Sequence, residues 1–356
     1  MVVIRPVRLT DLDELVAMAA LTGHGLTTLP MDRELLRKRI VLSQRSIASM
    51  GELPAGEWYL FVMEDLESGR MIGTSGICSK VGGFEPFYAY RIETALHESQ
   101  SLGVHKQISV LHLVSEHNGP TEIGSLFLLP EFRKEGNGRL LSLSRFLFMT
   151  EHRECFDPIV IAEMRGVIDE RGRSPFWDAL GSYFFDIDLP TADYLSMVNK
   201  RFIADLMPKH PIYIPLLPPE AQAVIGHVHE QTRPAMKLLQ EEGFAANGMV
   251  DIFEAGPVVT CPLAQIRTVS ASRKAVIEAI SAEEPGVELS LIGTTVAEFR
   301  ACKGSVESLS TGSVRISEAC ARALGAHSGD AIRFAPFRPH AAEVKEEAPG
   351  SVAAAI

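Results

Sequence analysis

Cysteine is scarce in this sequence: five in 356 residues, at Cys78, Cys155, Cys261, Cys302 and Cys320, odd in number and widely spaced. No C-x-x-C pair or Cys/His cluster occurs, so neither a disulfide framework nor a zinc site is expected, and the thiols read as buried and reduced. Long apolar runs are missing too. None exceeds a few residues, far short of a bilayer span. The opening Met1-Val-Val-Ile-Arg5 lacks the basic start and extended apolar core of a signal peptide, which leads us to expect a cytoplasmic protein with no membrane partner. Basic residues are in deficit, 34 Lys+Arg against 45 Asp+Glu for a net charge of −11. That balance speaks against a nucleic-acid surface and mildly favours a small cationic substrate. Hydrophobic residues at 46% and charged residues at 22% are those of a globular protein, and the length favours two domains.

The most informative stretch is 122–153. An apolar run, Leu126-Phe-Leu-Leu129, meets Pro130, then Arg133-Lys-Glu-Gly-Asn-Gly138, then a segment from Arg139 with Leu140, Leu143 and Leu147 at helical spacing. This reads as buried strand, glycine turn and helix. Two glycines two apart ahead of a helix free backbone N–H groups to face an anion, and the helix dipole adds partial positive charge there. Gly-x-Gly alone is an ordinary capping turn; with strand, proline, arginine and helix in order it reads as a pyrophosphate cradle.

Along the rest of the chain, 1–8 is a strand, Thr10 caps a helix that stops at Gly23, and 32–47 is a second helix. Residues 58–63 and 71–81 are strands about a turn at Glu67-Ser-Gly-Arg70. The segment 82–119 reads as an insertion with at least one further strand. Its aromatic cluster, Phe84 to Tyr90, suits a core better than a pocket wall. A strand at 159–164 is followed by Ser174-Pro-Phe-Trp177, a helix start, and Pro234 to Gly243 bound a further helix. Residues 270–288, rich in Ser, Ala and Glu, read as a linker or loosely held helix. The pattern of 312–334 resembles half of a double-psi β-barrel. The expected organisation is 1–256 as one domain with the insertion 82–119, 257–340 as a small β-barrel-like domain, and 341–356 as a disordered tail.

The order strand, Arg-x-x-Gly-x-Gly, helix resembles the acyl-CoA signature of the GNAT superfamily of N-acyltransferases. The resemblance narrows with Gly25-Leu-Thr-Thr-Leu-Pro30, Glu135-Gly-Asn-Gly138, Ala162-Glu-Met-Arg-Gly-Val-Ile-Asp-Glu170, Ser174-Pro-Phe-Trp177, Ala204-Asp-Leu-Met-Pro-Lys-His-Pro-Ile-Tyr213 and Asp251-Ile-Phe. Together these are similar to the arginine N-succinyltransferase family over 1–268, and weakly beyond. The resemblance implies an α/β fold: a mixed, mostly antiparallel sheet flanked by helices. It also implies succinyl transfer from succinyl-CoA, a co-substrate rather than a permanently bound cofactor, to the α-amino group of L-arginine. Ornithine or another amine as acceptor, or a non-catalytic acyl-CoA-binding subunit, are the alternatives. Either a homo-oligomer or a hetero-oligomer with a homologous subunit is expected.

By that resemblance, the amides of Ser125, Leu126, Phe127 and Leu128 hold the pantetheine and thioester, and Arg133, Lys134, Gly136, Asn137, Gly138 and Arg139 hold the pyrophosphate. His229, ahead of a helix N-terminus that disfavours imidazolium, matches the family's proton-transfer residue. Without the resemblance it reads as an exposed loop histidine. Glu122 at the strand start is a second candidate base or a surface charge. Among charges chosen by type, Glu163, Asp169 and Glu170 suit a guanidinium, while Arg165 and Arg91 suit carboxylates. Trp177 stands where GNAT enzymes carry a thiolate-protonating Tyr, and indole has no such acidity.

Overall fold

The computed structural model describes residues 1–22, 26, 28–51, 54–83, 86–286 and 288–339. The expected tail lies outside these, as does Phe84. Sixteen strands pair into one continuous order among the described residues. The N-terminal part contributes β1 (Val2–Pro6), β2 (Trp58–Asp65), β3 (Met71–Cys78), β4 (Phe87–Ser99), β5 (Val104–Glu116), β6 (Thr121–Leu128) and β7 (Ile159–Glu163). Then come β8 (Ile212–Tyr213), β9 (Ala245–Val250) and β10 (Pro257–Pro262), and beyond them β11 (Arg273–Ser281), β12 (Leu289–Thr294), β13 (Ala301–Ser305), β14 (Glu307–Ser308), β15 (Val314–Ser317) and β16 (Ala331–Pro336). The order β1-β2-β3-β6-β7-β10-β9-β4-β5-β8 forms the larger, N-terminal part of the sheet, antiparallel throughout except β6 with β7.

Strand β3 is buried at every position because it lies mid-sheet with both faces covered, and so it alternates nothing. Helices α1 (Leu12–Ala19) and α2 (Arg33–Ala48) supply one cover, and α3 (Asn137–Glu151) runs past β3. Asp32 caps α2 by accepting from the amides of Glu34 and Leu35. Helix α3 buries eleven of its residues, including Leu140, Leu143, Phe146 and Leu147. A helix buried nearly all round needs partners on several sides, and α3 has them in β3, β6, β12 and the short helix Arg267–Ala271.

The insertion is one long antiparallel hairpin, β4 against β5, paired from Phe87↔Glu116 to Ser99↔Val104. Its base is core: Tyr90 is fully buried, with its ring edge-on to Phe176 at 6.1 Å. This base belongs to a second hydrophobic core shared with Trp177, Leu180, Ile203 and Ile225. The indole of Trp177 donates to the Ile187 carbonyl at 3.1 Å, so it is a packing residue.

The C-terminal strands build a small unit with its own core of Ile277, Ile292, Ile316, Leu324 and Phe334. Residues 273–281 form β11, where a linker or helix is the sequence expectation. The segment alternates along its length, with Ala275, Ile277 and Ala279 less exposed than their neighbours, but small inward residues hide a strand period under a helix-like composition. β11 pairs with β16 through 273–276 and, in parallel, with β15 through 277–281. Among the described residues the pairings follow one open order, and closure into a barrel is not among them. The unit continues the main sheet through Ile4↔Ala301, and the expected boundary at 257 falls between β9 and its antiparallel partner β10. Part-buried polar contacts fasten it: Arg267, whose Nε donates to Glu242 at 2.9 Å, also donates from Nη1 to the Pro336 carbonyl at 3.1 Å, and Glu151 takes Arg333 Nε at 2.9 Å.

Candidate active site

Parallel pairing of β6 with β7 stops after Thr121↔Val160 and Glu122↔Ile161. From Ile123 onward the β7-facing edge of β6 has no ladder among the described residues. The break coincides with a bulge: Ser125 has φ 51° and the register against β3 shifts between Thr74 and Gly76. Thr74 Oγ1 donates to the Ser125 carbonyl at 2.8 Å, and the Ser125 amide donates to Thr28 Oγ1 at 3.0 Å. The bulge is thereby pinned from both sides, and the edge beyond it is left open to an extended ligand.

At the outer end of this edge the chain turns through Pro130–Phe132, and Arg133 Nε donates back to the Leu128 carbonyl at 2.9 Å. Glu135 and Gly136 are both left-handed, at φ 55° and 76°, and Gly136 caps α3. The conformation at Gly136 favours glycine, and Phe337 from the C-terminal unit lies 3.0 Å from where a Cβ would be. Gly138 has a different reason. A Cβ there meets nothing closer than Leu128 Cδ2 at 4.0 Å, so the protein leaves that space open at a helix N-terminus whose first amides lack intrahelical acceptors. Lys303 Nζ reaches the Glu135 carbonyl and lies 3.5 Å from Asn137 Oδ1. It places a cation of the C-terminal unit on the turn, and no sequence signal pointed to it.

Inward from the turn, a cavity of about 640 Å³ opens between the parted strands. Glu122, Ser125, Leu126, Phe127, Arg133, Glu163 and Arg165 line it, so this part of the expected set meets in one place. Asp251, Glu254, Arg39, Lys200 and Arg145 line it as well and were not singled out by sequence reasoning. Trp58, Phe87 and Tyr88 wall it, so the hairpin's aromatics serve both core and cavity.

The carboxylates are crowded. Glu163 opens onto the cavity at the exposed end of β7, and enclosure by the cavity walls together with the charges of Glu122 and Asp251 raises its pKa above the usual carboxylate range, with Lys200 pulling the other way. Burial likewise raises Glu122 against Lys200 and Arg39. Glu254 is raised well by burial and Asp251, and its Oε2 accepts from the Gly166 amide at 2.8 Å. Asp251 accepts from the amides of Phe253, Glu254 and Gly256, which folds the 251–256 loop around it. Arg39 is pushed down to about 10 by burial, with its guanidinium 5.0 Å over the Trp58 ring. Arg165 Nε is buried with no hydrogen-bond partner among the described residues.

His229 is not among the side chains lining the cavity, although Gln231 and Thr232 are. Its amide donates to the Arg165 carbonyl at 2.9 Å, and Nδ1 accepts from the Gln231 amide at 3.2 Å, capping the turn Glu230–Thr232. Burial first, then Arg165, lowers its pKa, opposed by Glu230 and a hydrogen bond to the Ile168 backbone. Asp169 is away from the cavity, organising an exposed turn by accepting from the amides of Arg171 and Arg173. Glu170 is exposed and lines nothing, and Arg91 is exposed on β4, 3.9 Å from Glu93. Leu128 is buried and outside the lining, Lys134 is exposed, and Arg139 is ion-paired to Glu241. Tyr183 is 81% exposed and takes no part in the cavity.

A mixed sheet that parts between two parallel strands, beside a glycine turn at a helix N-terminus, is the arrangement that the resemblance to acyl-CoA N-acyltransferases of the GNAT type leads one to expect. Residues 2–268 match the family model described as the arginine N-succinyltransferase beta subunit, and 273–336 match its C-terminal domain. The chain is 49% identical over 276 residues to the arginine N-succinyltransferase of Escherichia coli O6:K15:H31 (strain 536 / UPEC), covering 77% of this chain and 79% of that protein. It is 48% identical to the one from Enterobacter sp. (strain 638), with the same coverage. The solved arginine/ornithine succinyltransferase subunit AI of Pseudomonas aeruginosa superposes with a TM-score of 0.87 at 34% identity, over 95% of this chain and 99% of that one. The chain belongs to the arginine N-succinyltransferase family and is an acyltransferase. No described helix is long and apolar enough to cross a membrane, and no described His/Cys/Asp/Glu group could hold a metal.

Proposed function

We propose that this chain transfers the succinyl group of succinyl-CoA to the α-amino group of L-arginine, giving N2-succinyl-L-arginine and CoA. The observation that carries this reading is the cavity between the parted strands. One side offers strand amides leading to the glycine turn, and the other offers carboxylates crowded into one another's fields. The first suits a phosphorylated thioester donor, the second a guanidinium.

In this mechanism the donor's pyrophosphate rests on the Gly136–Gly138 turn and its pantetheine runs along β6 past Phe127 and Leu126. Glu163 and Glu254 take the guanidinium, and Arg165, whose buried Nε lacks a partner among the described residues, takes the substrate's α-carboxylate. Glu122 accepts the first proton of the α-ammonium, since a carboxylate with a raised pKa is the better base. The freed amine attacks the thioester carbon, and the oxyanion that forms is held by strand amides near Leu126. His229 then moves the second nitrogen proton to the departing CoA sulfur as the carbon–sulfur bond breaks. One proton is released per turnover, through Glu122. The proposal includes assembly with a second copy or a homologous subunit, since the P. aeruginosa relative is described as a subunit.

Thiol release across succinyl-CoA and acetyl-CoA, each with arginine, ornithine and lysine, tests the reading. Succinyl-CoA with arginine is expected to give the highest kcat/KM; no release with arginine, or faster release with another acceptor, removes it. The contact of Lys303 with the turn makes a separate expectation. Lys303→Ala raises the KM for the CoA donor about tenfold, the scale of one charge-assisted hydrogen bond, and leaves the acceptor KM unchanged. Initial rates with each substrate varied in turn check it.

A further inference from the structure

Arg145 is a buried cation for which the mechanism has no use. It lies two turns into α3, is only 2% exposed, and yet lines the cavity. Its Nε donates to the Ser142 carbonyl at 3.0 Å, Nη2 to Ser142 Oγ at 2.9 Å and Nη1 to the Gly124 carbonyl at 3.2 Å. A guanidinium has five N–H groups, so one on each terminal nitrogen is left over. No carboxylate among the described residues pairs with it, and burial alone moves its pKa, down to about 9, which leaves it charged at neutral pH. A buried charge without a counter-ion is costly, and proteins balance such groups.

The other cations of the cavity already have a use. Arg39 and Lys200 act on Glu122, Arg165, in the fields of Glu254 and Asp193, is assigned to the acceptor's α-carboxylate, and Lys80 donates to Asn118 Oδ1 at 2.7 Å. Arg133 is exposed and tied to the Leu128 carbonyl. Arg145 touches Gly124, the residue before the Ser125 bulge and two before Leu126, where the oxyanion amides are placed. In a succinyl group only two methylenes separate the thioester carbonyl from the distal carboxylate. A receptor for that carboxylate therefore has to lie within a residue or two of the oxyanion amides, on the cavity side.

We propose that Arg145 receives the distal carboxylate of the donor's acyl group and so selects a dicarboxylic acyl-CoA over a neutral one. This rests on the succinyl-CoA reading and adds the residue that enforces it. The arrangement is two-point: backbone amides fix one end of the four-carbon chain, and a guanidinium supported by Ser142 and Gly124 fixes the other.

The test is kcat/KM for succinyl-CoA and for butyryl-CoA, which keeps the chain length and replaces the carboxylate by a methyl group, with arginine as acceptor. Wild type, Arg145→Met and Arg145→Lys are compared. The succinyl-to-butyryl preference is expected to fall about 30- to 100-fold in Arg145→Met, the scale of a lost charge-assisted pair, with Arg145→Lys in between. A preference unchanged within about threefold, or equal losses with both donors, overturns the proposal and leaves Arg145 as a brace of the bulge. Should Arg145→Met not fold, the preference of Arg145→Lys decides in the same way. A wild type that releases no thiol from succinyl-CoA with arginine sinks the underlying reading instead, so the two failures are distinct.

Discussion

His229→Asn is expected to lower kcat by about 10²- to 10⁴-fold, the usual worth of a positioned proton-transfer group, with little change in either KM. The choice of asparagine follows from the local geometry. Nδ1 of His229 accepts the Gln231 amide and caps the turn Glu230–Thr232, so alanine would remove a cap as well as an imidazole. Asparagine is among the strongest capping residues and preserves that bond, which isolates the chemistry. Because Nδ1 accepts, the ring proton is assigned to Nε2, and a proton arriving at Nδ1 displaces the Gln231 amide. Burial and Arg165 lower the ring's pKa, so the neutral form persists to more acidic pH than in an ordinary histidine. The acidic limb of the rate profile is therefore expected to follow Glu122, whose pKa is raised, and to move when Glu122 is replaced by Gln. Steady-state kinetics over pH 5 to 9, a window about the ordinary histidine value, decide the matter. A kcat within threefold of wild type in His229→Asn would reduce His229 to a cap.

Glu163→Gln is the second large effect. Its carboxylate is crowded by Glu122, Asp251 and Glu254, and a guanidinium relieves that crowding. A charge-assisted hydrogen bond at a side chain that opens onto the cavity is worth about 1.5–3 kcal/mol, so the KM for arginine is expected to rise about tenfold or more, with the KM for the acyl-CoA nearly unchanged. The sign of the pH effect follows. The free site holds its proton above the ordinary carboxylate range, and the guanidinium binds the ionised form. Arginine affinity therefore strengthens as pH rises through that raised pKa and weakens as pH falls. Binding releases protons, so the calorimetric heat depends on the buffer's ionisation enthalpy; a heat independent of buffer would contradict the assignment.

Much of the donor half is legible in sequence because local rules write it. Strand, turn and helix are contiguous, Gly136 stands where a left-handed backbone favours glycine, and Gly138 stands where the protein leaves space open at the helix start. The acceptor half is not local. Glu122, Glu163, Asp251 and Glu254 come from three separate stretches, and only sheet topology, with β7 between β6 and β10, brings them together. Charge type therefore selected Asp169, Glu170 and Arg91, which share the chemistry and lie elsewhere, and passed over Asp251, whose role in its loop needs three backbone amides to be seen. Trp177 was legible as unable to protonate a thiolate, and its place in the second core gives the physical reason. The strand β11 was missed because its inward residues are small.

The position of Phe337 against Gly136 bears on how the chain is made. Ribosomes deliver the N-terminal end first, and domains fold as they emerge. The Gly136–Gly138 turn leaves the exit tunnel well before the aromatic ring that packs on it and the Lys303 ammonium that grips it. In a nascent chain the turn therefore stands without either support until more than a hundred and fifty further residues have emerged and docked.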